Sequence, residues 1–372
     1  PSGLMAAIQA AERGRSTILL EKNHRAGAKL LISGGGRCNL THACDERGVA
    51  TAFGPEGRFL HSPLAAFGPA KLMDWFRERG VPTYAEPGGK VFPASERAAD
   101  VLDALLRQFR RSGAQMALAE AVVDIRPISQ GFLVKTIRRT LHAHAVLVAT
   151  GGMSYPRCGA TGDAYPWLAA LGHTIHPPHP ALVPLTTSAA WVQRLTGIAL
   201  PDVLVHAIPS DPSAVKRGRS PRAVPRTQQR GALLFTHSGL SGPAPMDVSR
   251  AFTQTAEPAT HRLLIDFLPD LSADALDASL QQNAAAAGRK QIATILPRSL
   301  PKSLREALVE QAGAPADRYA AELTRSERNS LVEWVKRAAI PISGSCGFAQ
   351  AEVTAGGVAL DEVDARTMQS KI

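Results

Sequence analysis

Residues 29–42 read K-L-L-I-S-G-G-G-R-C-N-L-T-H. An apolar turn, Leu30 to Ile32, runs into three consecutive glycines, Gly34, Gly35 and Gly36, and then into polar residues. Glycine has no Cβ, so such a run accepts positive φ and lets the backbone approach a ligand closely. Lys29, Ser33, Arg37, Asn39 and Thr41 surround it with hydrogen-bond donors. The stretch predicts a loop that holds something anionic, with Arg37 and the amides of Gly34 to Gly36 balancing its charge.

Working outward to the N-terminal side, P-S-G-L-M-A-A-I-Q-A-A-E-R-G predicts a helix with Leu4, Ile8 and Ala11 on one face and Gly14 at its end. S-T-I-L-L-E-K then predicts a short buried strand ending in an acid. In a dinucleotide-binding βαβ unit the third glycine of the fingerprint opens the helix, and an acid about 20 positions on takes the ribose hydroxyls. Gly3 and Glu21 fit those two roles. An ordinary amphipathic helix followed by a strand fits residues 1–22 equally. On the first reading a strand and two further glycines belong before Pro1, so the sequence is expected to be a fragment cut inside the motif.

On the C-terminal side, Asp45 to Pro63 reads as loop. Pro69 opens a helix with an apolar stripe of Leu72, Trp75 and Phe76. Residues 81–93 predict a strand, a Gly-Gly turn and a second strand, after which Ser95 caps a helix from Glu96 to Arg111. A strand in A-E-A-V-V-D-I-R, alternation in G-F-L-V-K-T-I and a buried run in A-V-L-V-A-T-G-G complete the order of a Rossmann-type domain. From Pro177 the pattern changes to short strands, predicting an inserted antiparallel sheet or barrel. Within it, F-T-H-S-G-L-S-G-P leads into a helix near Pro243 and is expected to leave amides free around Ser238 to Gly242. His237 reads either as a structural histidine or as a proton donor. Leu271 to Ala339 predicts a small helical bundle, either a cover for the site or a structural cap.

Six stretches together resemble the bacterial flavoproteins of the YhiN or BaiN family, also called HI0933-like: residues 1–7, 27–42, 149–156 (A-T-G-G-M-S-Y-P), 161–173 (T-G-D-A-Y-P-W-L-A-A-L-G-H), 235–243 and 351–363 (A-E-V-T-A-G-G-V-A-L-D-E-V). They occur in the same order nearly end to end. The resemblance implies an α/β fold, a Rossmann-type FAD-binding domain of the two-dinucleotide-binding flavoprotein kind with an inserted antiparallel β domain and a small helical domain. Boundaries are expected at 1–180 for the FAD-binding domain, 181–270 for the β-rich insert, 271–342 for the helices and 343–372 for the return. It further implies that Val123 lies beside the adenine and that Thr150, Gly151 and Gly152 pass the cofactor. Gly162 and Asp163 lie near it, and Gly356 and Gly357 mark the re-entry, after which the chain stops short of a last segment. Taken alone, Asp163 reads as a helix N-cap.

The composition fits a chain that buries sizeable cores: 372 residues, 45% hydrophobic and 20% charged, with a formal net charge of +10. The only obvious basic run, Lys216 to Arg230, reads as a solvated loop, an RNA site or an attractor for the NADPH phosphate. Cys38, Cys44, Cys158 and Cys346 form no C-x-x-C, which disfavours a disulfide framework or a zinc site and fits a reducing cytoplasm. Cys38 reads as a packed or, alternatively, a redox-active thiol. G-L-S-G-P is not a nucleophile elbow. No apolar run is long enough to span a bilayer.

A flavin carries its own redox chemistry, so no triad or metal cluster is needed. The sequence therefore predicts an FAD-dependent oxidoreductase with NADH or NADPH as electron donor and a small organic acceptor, for which the resemblance suggests an activated C=C bond. The alternative is a flavoprotein that binds RNA for nucleoside modification; RNA ranks below a small molecule as partner, and a membrane is not expected. Neither a catalytic residue nor an oligomeric state is assigned.

Overall fold

The computed structural model describes residues 1–209, 227–254, 261–315 and 317–372. The chain divides into two units, Pro1–Pro178 with Gly356–Ile372, and His179–Ala355.

In the first unit, α1 (Ser2–Glu12) buries Leu4, Ala7 and Ile8, while Ala11, the third residue of the face read from the sequence, is half-buried. β1 (Ile18–Leu20) follows, then α2 (Ala28–Ile32), the glycine loop, and β2 (Thr41–His42). Residues 45–63 are not a continuous loop: α3 (Glu46–Ala52) forms because the Asp45 carboxylate accepts the Gly48 amide at 2.8 Å, a side-chain cap that satisfies one orphan donor. α4 (His61–Ala66) and α5 (Pro69–Arg77) come next, the latter burying Trp75 and Phe76. β3 (Thr83–Ala85) and β4 (Lys90–Pro93) form the expected hairpin, with β2 added to its edge. α6 (Ala98–Ser112) starts later than predicted; Arg97, not Ser95, occupies its N-cap, and no side chain caps it.

β5 (Gln115–Ala117) pairs in parallel with β1, placing Ile18 opposite Gln115. That pairing requires a crossover, and α6 with its flanks supplies it. β6 (Val122–Ile128), β7 (Gly131–Thr136) and β8 (Thr140–Ala143) make an antiparallel meander. The predicted strand in residues 145–150 is absent: the run has no strand assignment, and Leu147 is 66% exposed and Val148 38%. An apolar run becomes a buried strand only when strands or helices cover it, and periodicity does not report that cover. α7 (Ala164–Ala170) and β9 (Ile175–Ala181) lead out of the unit.

The second unit contains β10 (Leu185–Thr186), α8 (Ala190–Arg194), β11 (Ala199–Pro209), β12 (Gln228–Thr236), β13 (Gly239–Ser241), α9 (Pro243–Asp247), α10 (Arg250–Thr253) and β14 (His261–Asp266). The helices α11 (Ala273–Ala286), α12 (Ile292–Ile295), α13 (Lys302–Gln311) and α14 (Arg325–Arg337) follow, then β15 (Ala338–Pro341) and β16 (Gly344–Ser345). Seven strands pair in the order β15-β14-β11-β12-β13-β10-β16. The sheet and the helices share one apolar core, which takes in Leu263 and Ile265 of β14, Leu276 and Leu280 of α11 and Val335 of α14. Residues 343–355, grouped by sequence with the return, lie in this unit because β16 pairs with β10. β17 (Val353–Val358) pairs with β9 and carries the chain back. Among the described residues no helix is long and apolar enough to cross a membrane.

Candidate cofactor site

The glycine loop is a left-handed backbone segment: φ is 55° at Gly34, 68° at Gly35, 87° at Gly36 and 65° at Cys38. An L side chain pays for that conformation at each step. At Gly34 space adds to the demand, since a Cβ would lie 2.8 Å from the Asn39 amide nitrogen and 3.0 Å from Phe92. At Gly35 a Cβ would meet nothing within 4 Å, so that side of the loop is an open cradle. Successive left-handed and turn residues of this kind form concavities suited to anions.

Beneath the loop, Cys38 is buried at 5% exposure and its amide donates to the Ser33 carbonyl at 2.9 Å. Burial pushes its thiol up, against a hydrogen bond with Ser33. A thiol held protonated is a poor nucleophile, and Cys44 is a separate free thiol; the packed reading of Cys38 fits. Ser33 itself donates to the Leu30 carbonyl at 2.7 Å.

Arg37 turns back from the open cradle. Its Nη1 donates to Glu86 at 2.6 Å and to Glu96 at 3.3 Å, and its guanidinium carbon sits 4.0 Å from the Phe92 ring centroid. Tyr84 donates to the same Glu96 carboxylate. Arg37 thus braces the loop against the β3–β4 hairpin, and its charge is met within that brace. Thr41 stands in β2 opposite Val91, and Asn39 is exposed at the loop's end. Lys29 lies in α2.

Gly3 lies in the first turn of α1, where a Cβ would sit 3.5 Å from Ala149 and 3.6 Å from Leu19. The helix therefore packs closely on β1 and on the run leading to Thr150. Glu21 follows β1 directly, its carboxylate accepting the Asn23 amide at 2.9 Å. Glu21 and Cys38 both lie within electrostatic range of the Pro1 backbone. The amino end of α1, Glu21 and the glycine loop are therefore neighbours.

The next residue, Lys22, was not singled out by sequence. Its Nζ donates at 2.5 Å to both Thr161 and Asp163. Asp163 does not cap α7 with its side chain. Burial opposes its ionisation, but the hydrogen bonds from Lys22 and Thr161 overcome this and hold its carboxyl below the ordinary range. Asn23 adds a second tie, donating to the Cys158 carbonyl at 3.0 Å. The Gly162 amide donates to Gly152 at 3.2 Å, so the glycine turn after Thr150 and the turn before α7 are held together. Thr150 and Gly151 are exposed. Val123 is 45% exposed at a bulge between Val122 and Asp124, where a strand re-aims its side chains.

The return joins the same unit. A Cβ on Gly356 would meet the Pro177 carbonyl oxygen at 2.5 Å, and one on Gly357 would touch Tyr165 at 3.5 Å. Gly162 also abuts Tyr165, at 3.0 Å, so one ring links residues called out in two separate motifs. His173, buried, meets Glu362 at 2.9 Å through Nδ1 and Ser370 at 2.8 Å through Nε2. Glu120, also buried, accepts Arg139 at 2.8 Å and Thr136 at 3.0 Å. These polar ties escape sequence reading because their members are far apart in the chain.

In the second unit the expected free amides around Ser238 are largely engaged. Gly239 donates to the Thr236 hydroxyl at 3.1 Å, and residues 239–241 form β13, paired with β10 and β12. His237 is exposed. Of the basic run at 216–230, residues 216–226 lie outside the described residues, while Arg230 pairs with Asp202 at 2.5 Å and Asp270 at 2.7 Å.

Comparison with known proteins adds four findings. The sequence profile of the HI0933-like protein Rossmann domain matches residues 1–372. An Escherichia coli protein named ribosomal RNA dihydrouridine synthase is 28% identical over 100% of this chain and 86% of its own. A Clostridium scindens protein named 3-dehydro-bile acid delta(4,6)-reductase is 27% identical over 100% of this chain and 87% of its own. Among solved structures, the 3-ketosteroid-delta4-(5alpha)-dehydrogenase of Rhodococcus jostii RHA1 is similar with a TM-score of 0.39 and 17% identity, over 97% of this chain and 84% of that one.

Proposed function

We propose, from the premise that this chain belongs to the HI0933-like Rossmann family, that it is an FAD-dependent oxidoreductase that reduces a carbon–carbon double bond conjugated to a carbonyl. When bound, FAD would supply the hydride, with NADH or NADPH as the source of electrons. The observation that carries this reading is the gathering, in one unit, of the amino end of α1, the Glu21 carboxylate, the open left-handed cradle at Gly34–Gly36 and the Gly152–Gly162 turn.

These residues divide the work of binding. The amino end of α1 and the cradle's backbone suit a pyrophosphate, because helix N-termini and left-handed turns both present amide dipoles to an anion. Glu21 suits the ribose hydroxyls. Arg37, Lys22 and Asp163 hold the surrounding loops in place through their ion pairs.

The acceptor class is supported by what the two relatives' names have in common. Making dihydrouridine saturates the uracil C=C bond next to a carbonyl, and a delta(4,6)-reductase saturates a C=C bond conjugated with a 3-oxo group. Both reactions reduce a C=C bond in conjugation with a carbonyl, by net addition of a hydride and a proton. A small enone is the first reading. A uridine in RNA is the second, favoured by the net charge of +10 and the E. coli relative.

The test is an anaerobic visible spectrum of the protein with FAD, before and after NADH or NADPH, followed by a 4-en-3-one steroid or a uridine-bearing RNA. Flavin that binds, bleaches and is reoxidised by one acceptor, with a product heavier by two hydrogens, supports the reading. Failure to bind FAD sinks it.

A further inference from the structure

The other end of α1 carries a second, unassigned feature. Gln108 of α6 donates to Glu12 at 2.5 Å, so the C-terminal ends of α1 and α6 lie side by side. Arg107 donates to the Arg79 carbonyl at 3.3 Å, bringing the residues after α5 to the same place. Between α5 and α6 lies a recess of 260 Å³, lined by Glu78, Arg79, Ala104, Arg107, Gln108 and Arg111. Arg110 on α6, and Arg13 and Arg15 just past α1, are exposed at this end.

Two features separate this group from ordinary surface charge. The first is balance. Arg13, Arg15, Arg107, Arg110 and Arg111 make no ion pair with another described residue, while Arg79 pairs with Glu78 at 3.3 Å; the acids around them are Glu12, Glu78, Asp100 and Asp103, fewer than the six arginines. Arg107, Arg110 and Arg111 stand at i, i+3 and i+4, so their like charges repel at close range. The C-terminal helix dipole favours cations in the last turn, but by a few tenths of a kcal/mol per exposed residue it does not account for a recess walled by three guanidinia.

The second feature is Arg79 itself. Its guanidinium is stacked 4.0 Å from the Trp75 ring centroid and its Nη1 donates to the Trp75 carbonyl at 2.9 Å. Its Nε is buried with no partner, leaving the group fixed and incompletely satisfied at the recess wall. Planar guanidinium donors recognise phosphate oxygens in pairs.

We propose that this arginine-walled recess binds the phosphodiester backbone of a nucleic acid. A single small anion would engage one or two of these arginines, whereas a repeating anion accounts for a row running from Arg79 through Arg107 and Arg111 towards Arg13 and Arg15. The neighbouring recess of 210 Å³ on the far side of Arg107 carries Asp100 and Asp103, which repel phosphate and give the strand one direction to follow. α1, at about 1.5 Å per residue, separates this end from Gly3 by roughly 15 Å. The site is thus distinct from the cofactor cradle and stands without the redox reading.

Fluorescence anisotropy with a fluorescein-labelled single-stranded RNA, and with DNA of the same sequence, tests it across a series of salt concentrations. R107E/R111E should weaken binding at least about tenfold and lower the salt slope by about 2, since each lost phosphate contact removes close to one unit. R298E/R325E, exposed residues of the second unit with the same change in net charge, should retain most of the affinity. R107Q/R111Q should give an intermediate loss, and thermal melting and flavin content, read on all variants, confirm folding independently of RNA. Unchanged binding in R107E/R111E overturns the proposal, as does an equal loss in R298E/R325E. Displacement of the wild-type complex by inorganic phosphate or NADPH at low millimolar concentration also overturns it, in favour of a single-phosphate site.

Discussion

The two units differ in how their cores are built. In the second, a seven-stranded sheet and its helices share one continuous apolar core. In the first, sheets of two and three strands surround a smaller core, and the loops that form the candidate site are tied by polar pairs: Lys22–Asp163, Arg37–Glu86, Glu120–Arg139 and His173–Glu362. A loop that must present backbone to a ligand cannot be buried under apolar side chains, so charge-assisted hydrogen bonds fix it instead. The second unit has half-buried ion pairs of its own, Lys336–Asp266 and Arg328–Asp277, so the contrast lies in the size of the apolar core and in the loops that the first unit's polar pairs hold.

The largest effect that tests this contrast lies in the second unit. Phe235 is 1% exposed and stacks on Phe267 at 6.5 Å. Phe235→Ala should cost about 3–5 kcal/mol, the usual loss for a buried aromatic, read by urea unfolding. The spectrum of flavin bound to the folded variant should be unchanged. A cost under about 1 kcal/mol would mean that this core is loosely packed and would remove the contrast.

Next comes the cradle. Gly34→Ala meets both the left-handed strain, about 1–2 kcal/mol, and a clash with the Asn39 backbone; Gly35→Ala meets the strain alone. Gly34→Ala should therefore destabilise by about 2–3 kcal/mol and Gly35→Ala by about 1 kcal/mol. Equal costs would show that the loop relaxes, and that its left-handed path is not enforced by Phe92 and Asn39.

Acid separates the units further. Hydrogen bonds from Tyr84 to Glu96, from Arg139 to Glu120, from Thr174 to Glu362 and from Thr367 to Asp364 depress those carboxyls, and Asp163 is depressed by Lys22 and Thr161 against the effect of burial. In the second unit Arg230 depresses Asp202 and Thr324 depresses Glu327. A depressed folded-state value contributes stability that is complete above the unfolded value and is lost as pH falls through the folded one. Five such groups against two, among the described residues, predict that the first unit loses stability more steeply below pH 4.5. Melts followed through Trp75 and Trp167 in a W191F/W334F background, against the reverse pair, measure this. Glu120→Gln should flatten the first unit's slope; parallel slopes in both units would count against polar ties as the main support.

What the sequence made legible follows from the range of each interaction. The glycine loop, α1 with Gly3, the acid at Glu21 and the strands β6 and β7 are local patterns, read from spacing within about a dozen residues. The Lys22–Asp163 pair spans 141 positions and His173–Glu362 spans 189; no periodicity encodes either. Arg37 shows the intermediate case: its charge was plain, but its direction was set by Glu86 and Glu96 on a hairpin some fifty residues away. The same limit hid the arginine row, whose members are contributed by three helices and become one feature only when α1, α5 and α6 end together.

The smallest predicted effect bears on an apolar run whose composition and surroundings disagree. Residues 145–150 read as a buried strand, yet Leu147 is 66% exposed and the run pairs with no described strand. Exposed substitutions away from special features stay within about 0.5 kcal/mol, so Leu147→Ser should leave the urea midpoint nearly unchanged. A buried leucine replaced by serine would lose its transfer free energy and leave a hydroxyl to satisfy, about 2–5 kcal/mol together. That larger loss would show that Leu147 is covered in solution, and the first unit would then owe part of its stability to packing after all. A near-zero cost leaves the polar ties as the principal hold on the loops around Thr150 and Gly151, a few residues further on.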